Sequence, residues 1–162
     1  MFTQMYGLKV SYRLLAGKFT GAMNMSIDDI ARQFYESFND RNIEEIANQY
    51  IHEDCVSIDG PTGIESYGPE GSIESAHMWM TAFPDGKIKI LETSVSGNMV
   101  TTIFRAQGTF TGEMMSPDGN IPGTGKMLDL EFEDVLEFED GMIVRNETHY
   151  NINDMMSQLG LG

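Results

Sequence analysis

Residues 68–95, GPEGSIESAHMWMTAFPDGKIKILETSV, contain the change of periodicity that decides the fold. Before Pro84 the apolar residues recur at helical spacing, with Ile73, Ala76 and Met80 on one face. Pro84 ends this helix, because a proline ring clashes with the preceding turn and lacks an N–H donor. After Pro84 apolar and polar residues alternate, as in a strand with one buried face. The stretch therefore predicts a helix followed directly by a strand.

The segment before this stretch also has a helical pattern. Ser26 followed by Asp29 is a capping-box signal at a helix start, and helical spacing continues as far as the turn-forming residues 39–42. A second, short helix is predicted over residues 43–50. A short strand over residues 55–58 then leads into a Gly-Pro turn.

The segment after it consists of strands separated by turn signals such as the Gly-Asn pair at residues 97–98. The predicted long strands cover residues 87–95, 99–110, 126–139 and 142–151. The tail, residues 152–160, is compatible with a final helical turn. Three helices followed by four long strands predict an α+β fold in which the helices pack on one face of an antiparallel sheet.

Two of these strands carry polar residues in informative positions. In residues 128–138 Asp134 shares a face with leucines and phenylalanines, whereas the other acids lie on the opposite, solvated face. On the last strand Glu147, His149 and Asn151 share one face, so that an acid, an imidazole and an amide stand in a row. This row is either an acid–base site or the polar rim of a binding cavity.

The bulk composition limits the class of protein. The chain has 162 residues, of which 41% are hydrophobic, a size that fits one globular domain. A net charge of −15 makes nucleic acid an unsuitable partner, because such a surface repels phosphate backbones. One cysteine excludes a disulfide framework and a cysteine-based zinc site. No stretch has the ~20 apolar residues that cross a membrane.

Residues 1–25 differ from the rest of the chain. They hold three of the ten basic residues and none of the 25 acidic ones, so the remainder carries a net charge of −18. An acid-poor, basic leader is typical of a targeting segment. The alternatives are a later start at Met23 or Met25, or an additional strand or arm.

We therefore divide the chain into a leader, residues 1–25, and a domain, residues 26–162. We expect a cytoplasmic protein, with organellar targeting by the leader as the alternative.

Five motifs in order resemble the SnoaL-like polyketide cyclases. ARQFYESFNDRNIEEIANQYIHEDC resembles their first two helices, and GPEGSIESAHMWMTAFPD resembles their third. GTFTGE resembles the Gly-Thr-His-x-Gly-Glu element, and PGTGK resembles the Pro-Ala-Thr-Gly-Arg loop. FEDGMIV, with SQLG after it, resembles the closing strand and the C-terminal Gln-Leu-Gly. The similarity extends over residues 26–160.

The resemblance implies a cone-shaped, curved antiparallel sheet that encloses a pocket together with three N-terminal helices. This is the architecture of nuclear transport factor 2 and ketosteroid isomerase. It also implies an apolar small-molecule ligand, a homodimer built on the sheet, and chemistry without a metal or cofactor. Three scattered histidines give no metal-ligand spacing of their own.

The family's acid–base residues are replaced in this chain. The resemblance implies an aspartate on the last strand and a histidine from the Gly-Thr-His element, and these positions fall on Asn151 and Phe110. Neither residue can take up a proton. Three substitutes are available. Asp134 lies on an apolar face, where desolvation raises a carboxyl pKa as a general base needs. The alternative is a structural acid that is hydrogen-bonded to Tyr35 or to the backbone. Histidine is the side chain best suited to shuttle protons at physiological pH, so His149 is the second substitute, and Glu147 could orient its ring. The alternatives are that His149 lies in water at the mouth of the cone and that a β-bulge turns Glu147 outward.

The remaining candidates are residues expected to line the pocket. Tyr35 could point its hydroxyl into the pocket or be a core tyrosine. Arg105 could pair with Asp134 or bind an anionic ligand, or it could lie on the surface. The expected catalytic residues are Asp134, His149 and Asn151. The expected pocket-lining residues are Tyr35, Trp79, Met80, Phe83, Arg105, Phe110, Phe132 and Glu147.

Three functions are compatible with this sequence. The first is an enzyme that uses proton transfer alone on a mostly apolar carbonyl compound, with Asn151 or Tyr35 holding the developing oxyanion. The second is a module that binds a small apolar ligand without chemistry. The third is a structural dimer with a vestigial pocket. An enzyme needs Asp134 or His149 in the cavity, whereas a binding module needs only apolar walls.

Overall fold

The computed structural model describes residues 25–162, so the predicted leader lies outside the described residues except for Met25. The helices are α1 (Ile27–Asp40), α2 (Ile43–Tyr50), α3 (Gly68–Ala82) and α4 (Ile152–Leu159). The strands are β1 (Ile51–Asp59), β2 (Glu65–Tyr67), β3 (Lys87–Ser96), β4 (Met99–Thr109), β5 (Met127–Glu139) and β6 (Met142–His149). The predicted α+β class is confirmed, and the tail forms a complete fourth helix.

Local signals set the helix ends as the sequence predicts. The Ser26 side chain accepts a hydrogen bond of 3.1 Å from the Asp29 N–H, which caps α1. Arg41 ends that helix in the left-handed conformation, with φ of 60°. A proline in the first turn of α3 suits its start, and the helix stops at Phe83, before Pro84.

The six strands form one sheet in the order β2-β1-β6-β5-β4-β3. Hairpin neighbours β3, β4, β5 and β6 are antiparallel, but β1 and β6 are parallel. The four long strands therefore form the predicted antiparallel sheet, and the parallel addition of β1 makes the whole sheet mixed. The reason is that β1 and β6 are distant in sequence, so no tight turn fixes their relative direction.

The sheet has a buried inner face and an exposed outer face. On β5 the even-numbered residues 128–138 are all buried, whereas Asp129, Glu131 and Glu133 are exposed. Helices α1 and α3 pack on the inner face, where Tyr35 contacts Phe104 and Trp79 contacts Phe132. Residues paired across neighbouring strands point to the same face. The pairing register therefore assigns every strand residue to one face or the other.

A β-bulge near the start of β6 sets which of its residues face inward. Phe138 pairs with Ile143 but Glu137 pairs with Arg145, so Val144 is an extra residue on β6. Beyond the bulge Asn146 pairs with the buried residue Leu136. Simple alternation from Ile143 would place the odd-numbered residues of β6 on the inner face, but beyond the bulge the even-numbered residues face inward.

Two side-chain amides complete strand edges. Asn39 of α1 donates to the Ile88 carbonyl at 2.8 Å and accepts from the Ile88 N–H at 2.9 Å. Gln158 of α4 makes the same pair of bonds with the backbone of Asp129, at 3.0 and 2.8 Å. Each amide imitates a strand residue, and it protects backbone groups on an open sheet edge. These bonds fix α1 against β3 and α4 against β5.

The loop between β4 and β5 packs tightly on the end of α3. The Gly112 N–H donates to the Ala82 carbonyl, and a Cβ atom on Gly112 would lie 1.8 Å from the Thr81 carbonyl oxygen. Only glycine permits this approach of two backbones. This contact fixes the loop against the C-terminal end of α3. No helix in the described part of the chain is long and apolar enough to cross a membrane.

Candidate active site

A row of polar side chains crosses the inner face at the centre of the sheet. Thr102 on β4 pairs with Asp134 on β5, which pairs in turn with Thr148 on β6. The Tyr35 hydroxyl of α1 donates to Asp134 Oδ2 at 3.0 Å from above the sheet. Tyr35, Thr102 and Asp134 are 1%, 0% and 4% exposed, so the cluster is cut off from bulk water.

Burial decides the ionisation of this cluster. Desolvation raises the pKa of Asp134 to about 6, although the Thr148 and Tyr35 hydroxyls and the charge of His149 lower it in part. Burial also raises the pKa of Tyr35 well above its ordinary value, and the charge of Asp134 adds to this effect. Asp134 can therefore exchange a proton near neutral pH, whereas Tyr35 stays protonated and donates to it.

One carboxylate oxygen of Asp134 is open. Oδ2 is held by Tyr35, but Oδ1 is buried and has no hydrogen-bond partner among the described residues. Buried polar atoms are satisfied in most native proteins. Oδ1 can therefore accept a hydrogen bond from a water molecule or from a group of a ligand.

Aromatic rings surround this polar row. Phe104 and Phe132, one pleat along from Thr102 and Asp134, stack with 5.2 Å between ring centres and 4° between planes. Trp79 of α3 meets Phe132 edge-on, and Tyr150 packs against Phe132 at 4.9 Å. Trp79 and Tyr150 are only half-buried. The lining is therefore apolar and flat, and it is partly exposed at Trp79 and Tyr150.

The row Glu147, His149 and Asn151 does not face the interior. Glu147 pairs with Val135, and His149 pairs with the exposed residue Glu133, so both lie on the outer face. His149 Nε2 lies 3.2 Å from a Glu147 carboxylate oxygen, both side chains being partly exposed. Asn151 lies beyond the strand and caps α4 by accepting from the Asp154 N–H at 3.0 Å. The bulge at Val144 turns Glu147 and His149 outward, so their expected interior position is wrong. Asn151 is a helix cap and not the strand residue that the sequence predicts.

Arg105 also lies on the outer face. It pairs across the sheet with Glu131 and forms an ion pair of 2.9 Å with Asp129. The expectation that it lines the interior or pairs with Asp134 is therefore wrong, and the surface alternative holds. Its strand alternates so that Thr102 and Phe104, not Arg105, carry the buried face.

The other expected pocket-lining residues lie inside the cone. Phe83 and Phe110 are fully buried with 5.5 Å between their ring centres, and Trp79 stacks on Phe83 at 5.7 Å. Phe110 is thus a core residue. Met80 is half-buried and packs against the core.

A surface depression of about 440 Å³ lies where β6 leaves β5. The residues that line it are Ile103, Glu131, Phe132, Glu133, His149, Tyr150 and Asn151. Phe132 and Tyr150 also belong to the inner aromatic lining. Ile103, Glu131, Glu133 and His149 lie on the outer face, so the depression opens on that face of the sheet and not on the inner face that holds Asp134.

Sequence reasoning missed several inner-face residues. Thr102 and Thr148 flank Asp134, Asn146 lies diagonally from it, and Asp59 of β1 accepts from the Tyr150 hydroxyl at 3.4 Å. A signal existed only for Thr102, which alternates with the apolar residues of β4. The others depend on the bulge and on the β1–β6 pairing. Within residues 25–162, no cluster of three or more histidine, cysteine, aspartate or glutamate side chains is arranged to hold a metal ion.

Comparisons with known proteins agree with this architecture. The sequence profile described as SnoaL-like polyketide cyclase matches residues 29–159. A candidate SnoaL-like polyketide cyclase from Jannaschia sp. CCS1 has a TM-score of 0.74 and 15% identity, over 86% of this chain and 98% of that one. IdmH from Streptomyces antibioticus, provisionally assigned as a polyketide cyclase, has a TM-score of 0.70 and 25% identity, over 84% and 99%. No curated protein shows significant sequence similarity to the chain.

Proposed function

The chain belongs to the SnoaL-like polyketide cyclase family, and we propose that it binds a small, mostly apolar molecule and transfers a proton with Asp134 as the acid–base group. The reaction class is a cyclisation or isomerisation that needs no cofactor. The ligand lies against the aromatic lining of the cone, and its reacting part meets the open oxygen of Asp134.

The observation that carries this proposal is the asymmetric setting of the Asp134 carboxyl. Tyr35 orients it through Oδ2, Oδ1 is free, and burial raises its pKa to about 6. A base of this strength is ionised at neutral pH and still accepts a proton readily. A carboxylate that served only to hold Tyr35 would not need an unpaired buried oxygen, which costs about 1–3 kcal/mol of folding free energy.

The proton balance of the step is simple. Ionised Asp134 takes a proton from a carbon next to a carbonyl group, which leaves an enolate on the ligand and a neutral carboxyl on the protein. The same carboxyl then returns the proton to a different atom of the ligand. In an isomerisation this atom is another carbon of the enolate system, and in a cyclisation it is the alkoxide oxygen that forms when the enolate carbon adds to a second carbonyl group. Tyr35 holds the carboxyl in place throughout by its 3.0 Å hydrogen bond.

A second candidate function is ligand binding without chemistry. It is favoured because the two positions expected to carry acid–base residues have other roles here. Phe110 is a buried core residue, and Asn151 caps a helix. His149 lies on the outer face, so Asp134 is the only one of the three expected catalytic residues that faces the interior. Under this alternative the aromatic lining binds the ligand, and Asp134 contributes a hydrogen bond only.

The two functions are separated by a proton-exchange assay. The probe is 2-tetralone in D2O, and NMR follows the loss of its acidic C–H signals. Catalysis predicts exchange that the protein accelerates and that increases as pH rises through about 6, when Asp134 ionises. Asp134→Asn is expected to lose about a hundredfold of the protein-dependent rate, whereas the exposed control Glu131→Gln retains it. Binding of the ketone with no acceleration would leave the second function.

The homodimer and the location in the cell belong to the same proposal. The outer face of the sheet exposes Ile103, Val135 and Arg145 at least partly, and it would pair with the same face of a second copy. Such a contact would cover the mixed charges of this face.

We propose a cytoplasmic location on the basis of the acidic, cysteine-poor composition.

A further inference from the structure

The carboxyl of Asp134 is covered by the side chains around it. Asp134 is 4% exposed, so a molecule that reaches its free oxygen has to pass a side chain that moves aside. Among the aromatic rings of the lining, Phe104 and Phe132 are buried, whereas Trp79 and Tyr150 are half-buried. Displacing a half-buried ring exposes less apolar surface to water than displacing a buried one. The path of least resistance therefore passes Trp79 or Tyr150.

These two rings are held in different ways. Trp79 lies within helix α3, where it stacks on Phe83 at 5.7 Å and meets Phe132 edge-on at 6.1 Å. Tyr150 lies in the connection between β6 and α4, and its ring packs on Phe132 at 4.9 Å. The Tyr150 hydroxyl donates to Asp59 Oδ2 at 3.4 Å, the long end of the hydrogen-bond range. Tyr150 is therefore the ring that swings aside at the lower cost.

Asp59, by contrast, is firmly anchored. It is the last residue of β1 and pairs with Thr148 on the inner face. The Thr62 hydroxyl donates to the same Oδ2 atom, and the Gly60 N–H donates to the Thr148 carbonyl at 2.8 Å. A Cβ atom on Gly60 would lie 2.6 Å from that carbonyl oxygen, so only glycine permits this turn to approach β6 so closely. Asp59 is thus a fixed acceptor, and the ring that it holds is the movable part.

From this arrangement we infer that the Tyr150 ring is a gate on the aromatic lining and that Asp59 is the positioning residue that holds it closed. When the hydrogen bond breaks, the ring turns away from Phe132 and opens a path towards Asp134. Burial raises the pKa of the Tyr150 hydroxyl above its ordinary value, and the charge of Asp59 adds to this effect, so the hydroxyl keeps its proton at neutral pH. The inference rests on the proposed binding function, because the gate serves the passage of a ligand.

Trp79 provides the probe for the test, because it is the only tryptophan of the chain and contacts the same Phe132 ring. Quenching of its fluorescence by acrylamide measures how often the lining is open to a small neutral solute. Tyr150→Phe keeps the ring and removes its hydrogen bond, and Asp59→Ala removes the acceptor. Loss of this bond should raise the population of the open state, and with it the quenching constant, about twofold. Tyr150→Ala, which removes the ring, should give the largest increase.

Two further variants are controls. Tyr67→Phe removes a hydrogen bond of the same chemistry, from Tyr67 to Glu65 at 2.6 Å on the exposed strand β2, and should leave the quenching constant unchanged. Asp59→Asn keeps an oxygen that accepts from the hydroxyl and should stay close to the wild type. Circular dichroism checks that each variant folds. Tyr150→Phe decides the test if Asp59→Ala does not fold.

A gate also has a kinetic signature in the 2-tetralone exchange assay. Ligand binding to a state that is only partly populated is weakened by the fraction of that state. Tyr150→Phe should therefore lower the ketone concentration that gives half the maximal rate by about twofold. The maximal rate and its pH dependence should not change, because Asp134 sets both. A residue that served only the stability of the fold would not separate these two quantities.

Equal quenching constants in the wild type and in Tyr150→Phe would overturn the inference, since the bond would then not hold the ring. So would unchanged quenching in Tyr150→Ala, or an equal increase in Tyr67→Phe, which would show general loosening. Increased quenching with an unchanged half-saturating ketone concentration would also overturn it, because the ligand would then enter elsewhere.

The quenching measurement needs no ligand, so failure of the gate is distinct from failure of the proposed function. The expected quenching without accelerated exchange in any variant refutes only the proton-transfer reaction. Accelerated exchange with equal quenching in the wild type and Tyr150→Phe refutes only the gate.

Discussion

Replacing Asp134 by asparagine should change how the stability of the protein depends on pH. The pKa of the carboxyl is about 6 in the folded state against a reference value of 3.8, and burial is the main cause. Between these values the folded state binds more protons than the unfolded state, so the stability of the wild type falls as pH rises. Asparagine keeps the shape and has no proton to release.

The size of the effect follows from the two pKa values. A difference of about two units corresponds to about 3 kcal/mol across the full titration. Between pH 5 and pH 8, a range that avoids the isoelectric point, about 1.4 kcal/mol of this should be observed. The free energy of unfolding of Asp134→Asn, relative to the wild type, is therefore expected to rise by that amount from pH 5 to pH 8.

Urea unfolding followed by circular dichroism at several pH values measures this difference. Glu131→Gln on the same strand serves as the control, because its side chain is exposed and its difference from the wild type should not vary in this way. A flat profile for Asp134→Asn, or a relative stability that falls towards pH 8, would show that the carboxyl is not desolvated. The argument for its role as a base would then fail.

Three further predictions concern the frame of the site. Gly112→Ala places a methyl group against the Thr81 carbonyl and should lower the free energy of unfolding, measured in urea, by at least about 3 kcal/mol. The control Gly63→Ala, at a position with φ of 70° and open space, should lower it by about 1 kcal/mol. Equal losses in the two variants would contradict the close packing at Gly112. Asn39→Ala removes both bonds to Ile88 and should cost about 1–3 kcal/mol, and an unchanged unfolding midpoint would show that the edge needs no cap. The proposed dimer predicts that Val135→Glu halves the mass measured by light scattering, and a wild-type monomer would refute it.

The sequence predicted the elements whose signals are local. Ser26 and Pro84 mark helix ends by their own chemistry, and both act as expected. Asp134 was identified as inward-facing because it interrupts an otherwise regular apolar face, and it is the buried acid of the site. Its bond to Tyr35 was anticipated as the structural alternative to a catalytic role. The structure combines the two, since one oxygen is bonded and the other is open.

The parts that were wrong or missed depend on distant pairing. Alternation on the last strand placed Glu147 and His149 inward, but the extra residue Val144 turned them outward. Nothing in the sequence near Val144 distinguishes a bulge from a regular strand. The parallel pairing of β1 with β6 joins segments about 90 residues apart, and local periodicity carries no information about it. Asn151 was assigned to the strand, although its amide suits a helix cap equally well.

The central claim is that Asp134 is a desolvated carboxyl with one oxygen held by Tyr35 and the other free for a ligand. The most direct measurement is an NMR titration of the Asp134 side-chain carboxyl carbon, assigned with Asp134→Asn, in the wild type and in Tyr35→Phe. The account predicts a pKa of about 6 in the wild type and a higher pKa in Tyr35→Phe, because the hydroxyl stabilises the charged form. A wild-type pKa near the reference value of 3.8, or a value that Tyr35→Phe leaves unchanged, would contradict it.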